Sequence, residues 1–245
     1  LRLAVNEICN LRCIYCMPEQ GIVFKPKDKI LQKREIFKLI KITTDLGVNK
    51  VRFTGGEPLL RREIFEIINF TKKIKTVKSI NLTTNGILLS DMLNELKSSG
   101  LSGINISIDT LNPEKYKTIS RRDSLDKVLD SFHQITNQNL FKIKINVVAM
   151  KNFNDDELVD FVELTKYNDI TVRFIELMPF DSRQIWKTGK FYKAGEILSD
   201  LKLKYNNLIK EQGSSTEYHI FRLKGYVGKV AIIPSYTRSL CGKCN

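Results

Sequence analysis

An α/β protein built as an incomplete TIM-like (βα)6 barrel, followed by a small α+β extension, is the fold class this sequence predicts. Three observations predict it. Short β-rich runs alternate with stretches of helical apolar spacing through most of the chain. Strand–helix–strand units in succession give a parallel sheet, and right-handed crossovers put the helices on one side if the sheet curls. From about Phe180 the alternation stops and a different pattern begins. A doubly wound flat sheet is the other arrangement this succession permits. The length of 245 residues suits one such domain with an appendage.

The strands expected are Leu3 to Val5, Val51 to Phe53, Ile80 to Thr83, Ile104 to Ile108, Ile143 to Val148 and Val172 to Ile175. Helical spacing joins Ile36, Leu39, Ile40 and Leu46, then Ile64, Ile67 and Ile68, then Leu125, Val128, Leu129 and Phe132, then Leu158, Val159 and Val162. Residues 1–179 form the barrel on this reading and residues 180–245 the extension. In the extension, Trp186 to Lys190 reads as a loop and Ala194 to Tyr205 as a helix. Tyr218 to Leu223 and Gly228 to Ile233 read as an antiparallel pair rather than a seventh β/α unit. Functional loops are expected at the C-terminal ends of the barrel strands.

Hydrophobic residues at 42% and charged residues at 27% exclude disorder and low complexity for the chain as a whole. No run approaches the roughly 18 apolar residues of a membrane span, so a soluble protein without a membrane partner is expected. Lys and Arg total 40 against 27 Asp and Glu, and the net charge of +13 favours an anionic partner. The lysines are spread over several helices, as at Lys72, Lys73, Lys75, Lys202 and Lys204, and no helix-turn-helix or zinc-finger pattern appears, so nucleic-acid binding is the minority reading. The chain opens at Leu1 without an initiator Met or a signal-peptide layout, and residues upstream are expected.

Five cysteines fall in two tight clusters, Cys9, Cys13 and Cys16 near the start and Cys241 and Cys244 at the end. An odd count so placed is a poor disulfide framework and a good metal framework, which points to a reducing, cytoplasmic location. In Cys9-Asn-Leu-Arg-Cys13-Ile-Tyr-Cys16 three thiolates follow the first strand on a loop and can wrap one face of a cluster or a metal, leaving one position open. Structural zinc wants a closed set of four, and the chain has only two histidines, His133 and His219. Buried structural cysteines are the plain alternative, but such a loop rarely spends three thiols on packing.

This spacing, with the aromatic Tyr15 just before the last cysteine, resembles the radical S-adenosylmethionine (SAM) enzymes. The resemblance implies a [4Fe-4S] cluster on Cys9, Cys13 and Cys16, with SAM on the fourth iron. Arg52-Phe-Thr54-Gly55-Gly56-Glu57-Pro58 after the second strand would otherwise be a tight turn relieved by its glycines. In the resembled family this turn contacts SAM. Thr83-Thr-Asn85-Gly86 and Ser107-Ile-Asp109 close the next two strands, where polar residues converge on one rim.

The order of these segments, with Lys144-Ile-Asn-Val-Val, Arg-Phe-Ile-Glu-Leu-Met178-Pro and the terminal Cys241-Gly-Lys-Cys244-Asn, is similar over the whole chain to the branch of that family that cyclises GTP in molybdopterin biosynthesis. That resemblance implies a lyase that removes the 3′ hydrogen of GTP with a 5′-deoxyadenosyl radical and closes the ribose onto the guanine 8-carbon. By position Tyr15, Gly56, Ser107 and Met178 match SAM-binding residues, and Arg2, Arg52, Thr83 and Lys144 match GTP-binding ones. Guanidinium forks and a lysine suit a triphosphate. The resemblance implies a second [4Fe-4S] cluster on Cys241, Cys244 and a third cysteine beyond Asn245, so a fragment is expected. It further implies a reductase or flavodoxin-like electron donor and a downstream cyclic pyranopterin monophosphate synthase, and it admits a homodimer. Asn6-Glu7-Ile8 departs from the Thr-Asp-Arg more usual before the first cysteine. Another radical SAM enzyme with an auxiliary cluster, such as a peptide-modifying maturase, is the alternative; a basic zinc protein that binds nucleic acid is a third reading.

Overall fold

The computed structural model of the chain describes residues 1–26, 29–178, 190–211 and 219–237. Trp186 to Gly189, Tyr218, Cys241 and Cys244 lie outside the described residues. The chain divides into two compact units. The first holds Leu1–Asn10, Ile22–Ser107 and Asp126–Lys142; the second holds Leu11–Gly21, Ile108–Leu125 and the described residues from Ile143 onward.

In the first unit β1 (Arg2–Ala4), β2 (Lys50–Thr54), β3 (Ser79–Thr84) and β4 (Gly103–Ser107) pair in that order, all parallel. They alternate with α1 (Lys33–Asp45), α2 (Ile64–Lys72) and α3 (Leu93–Ser99). The period of two is plain on β3, where Ile80, Leu82 and Thr84 are buried while Ser79, Asn81 and Thr83 are half-exposed. The apolar face of these strands and the stripes Ile36 and Ile40 on α1, and Ile64, Ile67 and Ile68 on α2, are buried. Phe37 stacks on Phe70 between α1 and α2 at 4.1 Å. Leu46, read from its spacing as part of the α1 stripe, caps that helix and is exposed. The helix spacing from Leu125 is α5 (Leu125–Asn137), whose residues from Asp126 belong to this unit.

The second unit contains α4 (Pro113–Ser120), β5 (Lys142–Ala149) from Ile143 on, α6 (Leu158–Glu163), β6 (Ile170–Glu176) and α7 (Ala194–Lys204). It also contains β7 (Leu208–Lys210), β8 (His219–Leu223) and β9 (Lys229–Ile233). β8 and β9 form the expected antiparallel pair, and β7 adds to β8. β9 also pairs with β6, in parallel, from Thr171↔Lys229 to Ile175↔Ile233. The extension thus supplies a further parallel strand, which its own local pattern does not reveal. α4 starts at a strong signal: Asn112 Oδ1 accepts from the Glu114 and Lys115 amides, and Pro113 follows the cap.

Candidate functional site

In the first unit the segment before Cys9 runs along the turn after β2. The Gly56 amide donates to Asn6 O at 2.9 Å and the Glu57 amide to Ile8 O at 2.7 Å. Asn6 Nδ2 returns a bond to Glu57 O at 2.9 Å. This accounts for the first unusual residue before the cysteines, since the Asn6 carboxamide staples the two segments. The second, Glu7, accepts from the Lys25 amide beyond the cysteine loop. Glycine is required at position 56 by close approach: a Cβ there would lie 2.3 Å from Ile8 O.

Glu57 is fully buried, and its carboxylate accepts from the Leu59 amide at 3.0 Å, Thr84 Oγ1 at 2.8 Å and the Asn85 amide at 2.8 Å. Burial pushes its carboxyl up, against the pull of these three bonds. Asn85 in turn donates to Asn10 Oδ1 at 2.7 Å and reaches Cys9 Sγ at 3.8 Å. Two strand ends, after β2 and β3, are therefore bound to the residues flanking Cys9.

The polar face of this unit's sheet carries four of the expected binding residues, Arg2, Arg52, Thr83 and Ser107. Arg2 pairs with Arg52 across β1 and β2, and Arg52 with Asn81 on β3. Thr83 pairs with Asn105, whose Nδ2 donates to Thr83 Oγ1 at 3.2 Å, and Ser107 ends β4 on the same parity. Arg2 is exposed and Arg52 half-buried. Arg2 is the first residue of β1 and Arg52 is mid-strand, so they line the face rather than the rim.

In the second unit Lys144 is on the half-exposed face of β5, opposite Thr171, and Asn146 is opposite Arg173, which donates to Asn146 Oδ1. Met178 follows β6 and is partly exposed. The segment with Cys13 and Cys16 is tied to α4: the Arg12 amide donates to Ser120 O and the Ile14 amide to Ile119 O. Arg121 Nη1 then bridges Arg12 O at 3.0 Å and Met17 O at 2.9 Å, from a backbone with φ of +54°. The Cys16 and Met17 amides both donate to Cys13 O, making a tight turn. Tyr15 Oη donates to Asp109 Oδ2 at 2.6 Å. Burial, then the Asp109 carboxylate and the Cys13 thiol, drive the Tyr15 phenol well upward. Burial raises Asp109 to about 6 despite its bonds from Tyr15 and Val148. With the folded value above the unfolded one, its contribution to stability is full below about pH 3.8 and is lost as pH rises through about 6.

Asn10, Glu57, Asn146 and Arg173 were not among the expected site residues, although polar residues at alternate positions of β3, β4, β5 and β6 were a readable signal. The three N-terminal cysteines are thiols, Cys16 exposed and the other two half-buried. Among the described residues no three His, Cys, Asp or Glu side chains stand close enough to hold a single metal ion. An all-thiolate donor set whose members each bind a different iron suits a cluster and not a lone ion. No helix among the described residues is long and apolar enough to cross a membrane.

Residues 3–165 match the model of the Radical SAM superfamily and residues 170–245 that of Molybdenum Cofactor Synthesis C. The class defined by the thiolate loop and the β/α series is thus the radical SAM enzyme, whose cofactors are SAM and an iron-sulfur cluster. The whole chain is 44% identical to a GTP 3′,8-cyclase of Clostridium botulinum, of which it spans 76%, and 41% identical to that of Chlorobaculum tepidum, of which it spans 73%. It is 41% identical to molybdenum cofactor biosynthesis protein 1 of Dictyostelium discoideum and spans 39% of that relative's length. The chain belongs to the GTP 3′,8-cyclase family of radical SAM enzymes. Streptococcus suis SuiB shares the fold with a TM-score of 0.64 at 18% identity, over 83% of this chain and 45% of that one. TYW1 with a lysine-pyruvate adduct shares it with a TM-score of 0.58 at 16% identity, over 87% of this chain and 76% of that one.

Proposed function

We infer that this chain converts GTP to (8S)-3′,8-cyclo-7,8-dihydro-GTP, as a lyase of molybdenum cofactor biosynthesis. The observation that carries the reading is the side-by-side placement of Arg2 and Arg52 on neighbouring strands, in a chain 44% identical to a GTP cyclase. Guanidinium forks match the oxygens of a phosphate, and two of them on neighbouring strands suit a triphosphate. Arg2, Arg52, Thr83 and Lys144 hold GTP, the cations on phosphate oxygens. Cys9, Cys13 and Cys16 hold the first [4Fe-4S] cluster, while Tyr15, Gly56, Ser107 and Met178 receive SAM. When bound, cluster and SAM supply a carbon radical able to take the 3′ hydrogen of the ribose. The chain's own residues hold GTP still and place its ribose against that radical.

Residues 1–179 form the radical SAM portion, and residues 180–245 carry Cys241 and Cys244, two of the three ligands of a second cluster. A flavodoxin-like protein or reductase delivers the electron, cyclic pyranopterin monophosphate synthase consumes the product, and the enzyme works in the cytoplasm. Anaerobic incubation of the full-length protein with SAM, dithionite and GTP, with mass analysis of the products, tests the reading; recovery of GTP unchanged overturns it. In the same assay Cys13→Ala is expected to abolish 5′-deoxyadenosine formation, and normal formation would remove Cys13 from the cluster. Arg52→Ala is expected to weaken GTP binding by about 1.5–3 kcal/mol in calorimetry while sparing SAM. Equal GTP affinity in variant and parent would contradict the triphosphate assignment.

A further inference from the structure

Asp109 is a buried carboxylate with no cation paired to it among the described residues. Burying a charge in this way is costly, and an apolar or amide side chain of the same shape would cost less. Both oxygens are nevertheless engaged. Tyr15 Oη donates to Oδ2 at 2.6 Å, and the Val148 amide donates to Oδ1 at 2.8 Å. The backbone around it is fixed as well: Asn154 Nδ2 donates to Asp109 O at 2.6 Å and to Val148 O at 2.9 Å, while Asn154 Oδ1 accepts from the Met150 amide at 2.8 Å. Tyr15 and Ile14 pack on a small core of Ile119, Met150 and Leu177, with Val148 and Phe153 beside them. A rigid acceptor thus stands behind the one aromatic residue in the Cys13–Cys16 turn.

We propose that Asp109 is a positioning residue for SAM, acting through the Tyr15 hydroxyl to fix the Tyr15 ring and the turn that carries Cys13 and Cys16. This rests on the reading of Tyr15 as a SAM-binding residue. A phenol–carboxylate bond is charge-assisted and holds one ring orientation, whereas packing alone leaves the ring free to shift along the apolar surface. Removing such a bond behind a ligand-binding group loosens the group without deleting it.

The test uses the full-length protein, loaded with iron and sulfide under anaerobic conditions, in wild-type, Tyr15→Phe, Asp109→Asn, Asp109→Ala and Tyr15→Phe/Asp109→Ala forms. SAM affinity is read by calorimetry, and the paramagnetic spectrum of the reduced cluster is recorded with and without SAM. Tyr15→Phe and Asp109→Ala are each expected to weaken SAM binding about tenfold. Both are expected to keep wild-type iron content and to blunt the spectral change that SAM induces. Asp109→Asn, whose carboxamide can still bond both Val148 and the phenol, is expected to retain affinity within about threefold. The double variant is expected to bind no more weakly than the poorer single one, because both changes remove the same bond. Wild-type affinity and spectrum in Tyr15→Phe overturn the proposal, even if Asp109→Ala fails to fold, since that variant lacks a single oxygen. A wild-type protein that takes up its cluster but binds no SAM overturns the reading beneath it instead.

Discussion

Alanine at position 56 is expected to strip the protein of SAM binding and of most of its N-terminal iron. The added Cβ would lie 2.3 Å from Ile8 O, 2.6 Å from Ile8 C and 2.7 Å from Glu7 O. All three are backbone atoms, so no side chain can swing aside. Relief requires the turn after β2 to part from segment 6–8 by about 1 Å, given that carbon and oxygen rest at roughly 3.2–3.6 Å. The bonds that join these segments, Gly56 N to Asn6 O and Glu57 N to Ile8 O, would then be lost. The displaced residues are the immediate neighbours of Cys9, which is why a methyl group beside the site acts on the cluster itself. The stability loss should be about 1–3 kcal/mol, small beside the loss of binding. Iron and acid-labile sulfide per chain, with SAM calorimetry, check this; a Gly56→Ala protein that keeps both would show that the two segments separate without cost.

Glu176→Ala should produce the largest loss of stability. The buried Glu176 carboxylate accepts from the Ala194 amide at 2.5 Å, the Tyr236 and Thr237 amides at 2.8 Å each and Thr237 Oγ1 at 2.8 Å. It ends β6, meets the first amide of α7 and gathers the chain after β9. A negative charge at a helix N-terminus is favourable, and truncation leaves several donors without acceptors. A cost of about 3–5 kcal/mol is expected, or roughly a 10 °C fall in melting temperature for a chain of this size. Glu176→Gln keeps one acceptor oxygen and should fall in between. Calorimetric melting of the three proteins decides it, and a drop under about 2 °C for the alanine variant would mean that water replaces the carboxylate.

The six parallel strands of the β/α series were legible because apolar residues at alternate positions mark them directly. Two helices were not. α3 is seven residues long and buries only Leu96 and Ser99, too little to set up a period. α4 buries only Tyr116 and Ile119 as apolar residues, although its Asn112-Pro113 start was there to be read. In the candidate site, Gly56 and the cysteines were legible from local spacing. The burial of the carboxylates Glu57, Asp109, Glu157 and Glu176 was not, because it is offset by donors that arrive from elsewhere in the chain. Glu157 shows this plainly: it accepts from Thr110 Oγ1, the Leu111 amide and Lys115 Nζ, all more than 40 residues away. Only a fold that brings those segments together makes such a residue recognisable.

The parallel pairing of β6 with β9 sets a timetable for biosynthesis. β6 ends at Glu176 and β9 at Ile233, so on the ribosome one edge of β6 waits while the next 57 residues are made. At about 5–20 residues per second that is roughly 3–11 s with β6 paired to β5 alone and its other edge open. An open, apolar edge of this kind templates pairing with other nascent chains. Slower translation after codon 176, or depletion of chaperones that hold emerging chains, should therefore divert more of this protein into aggregates than the same treatment applied earlier in the reading frame.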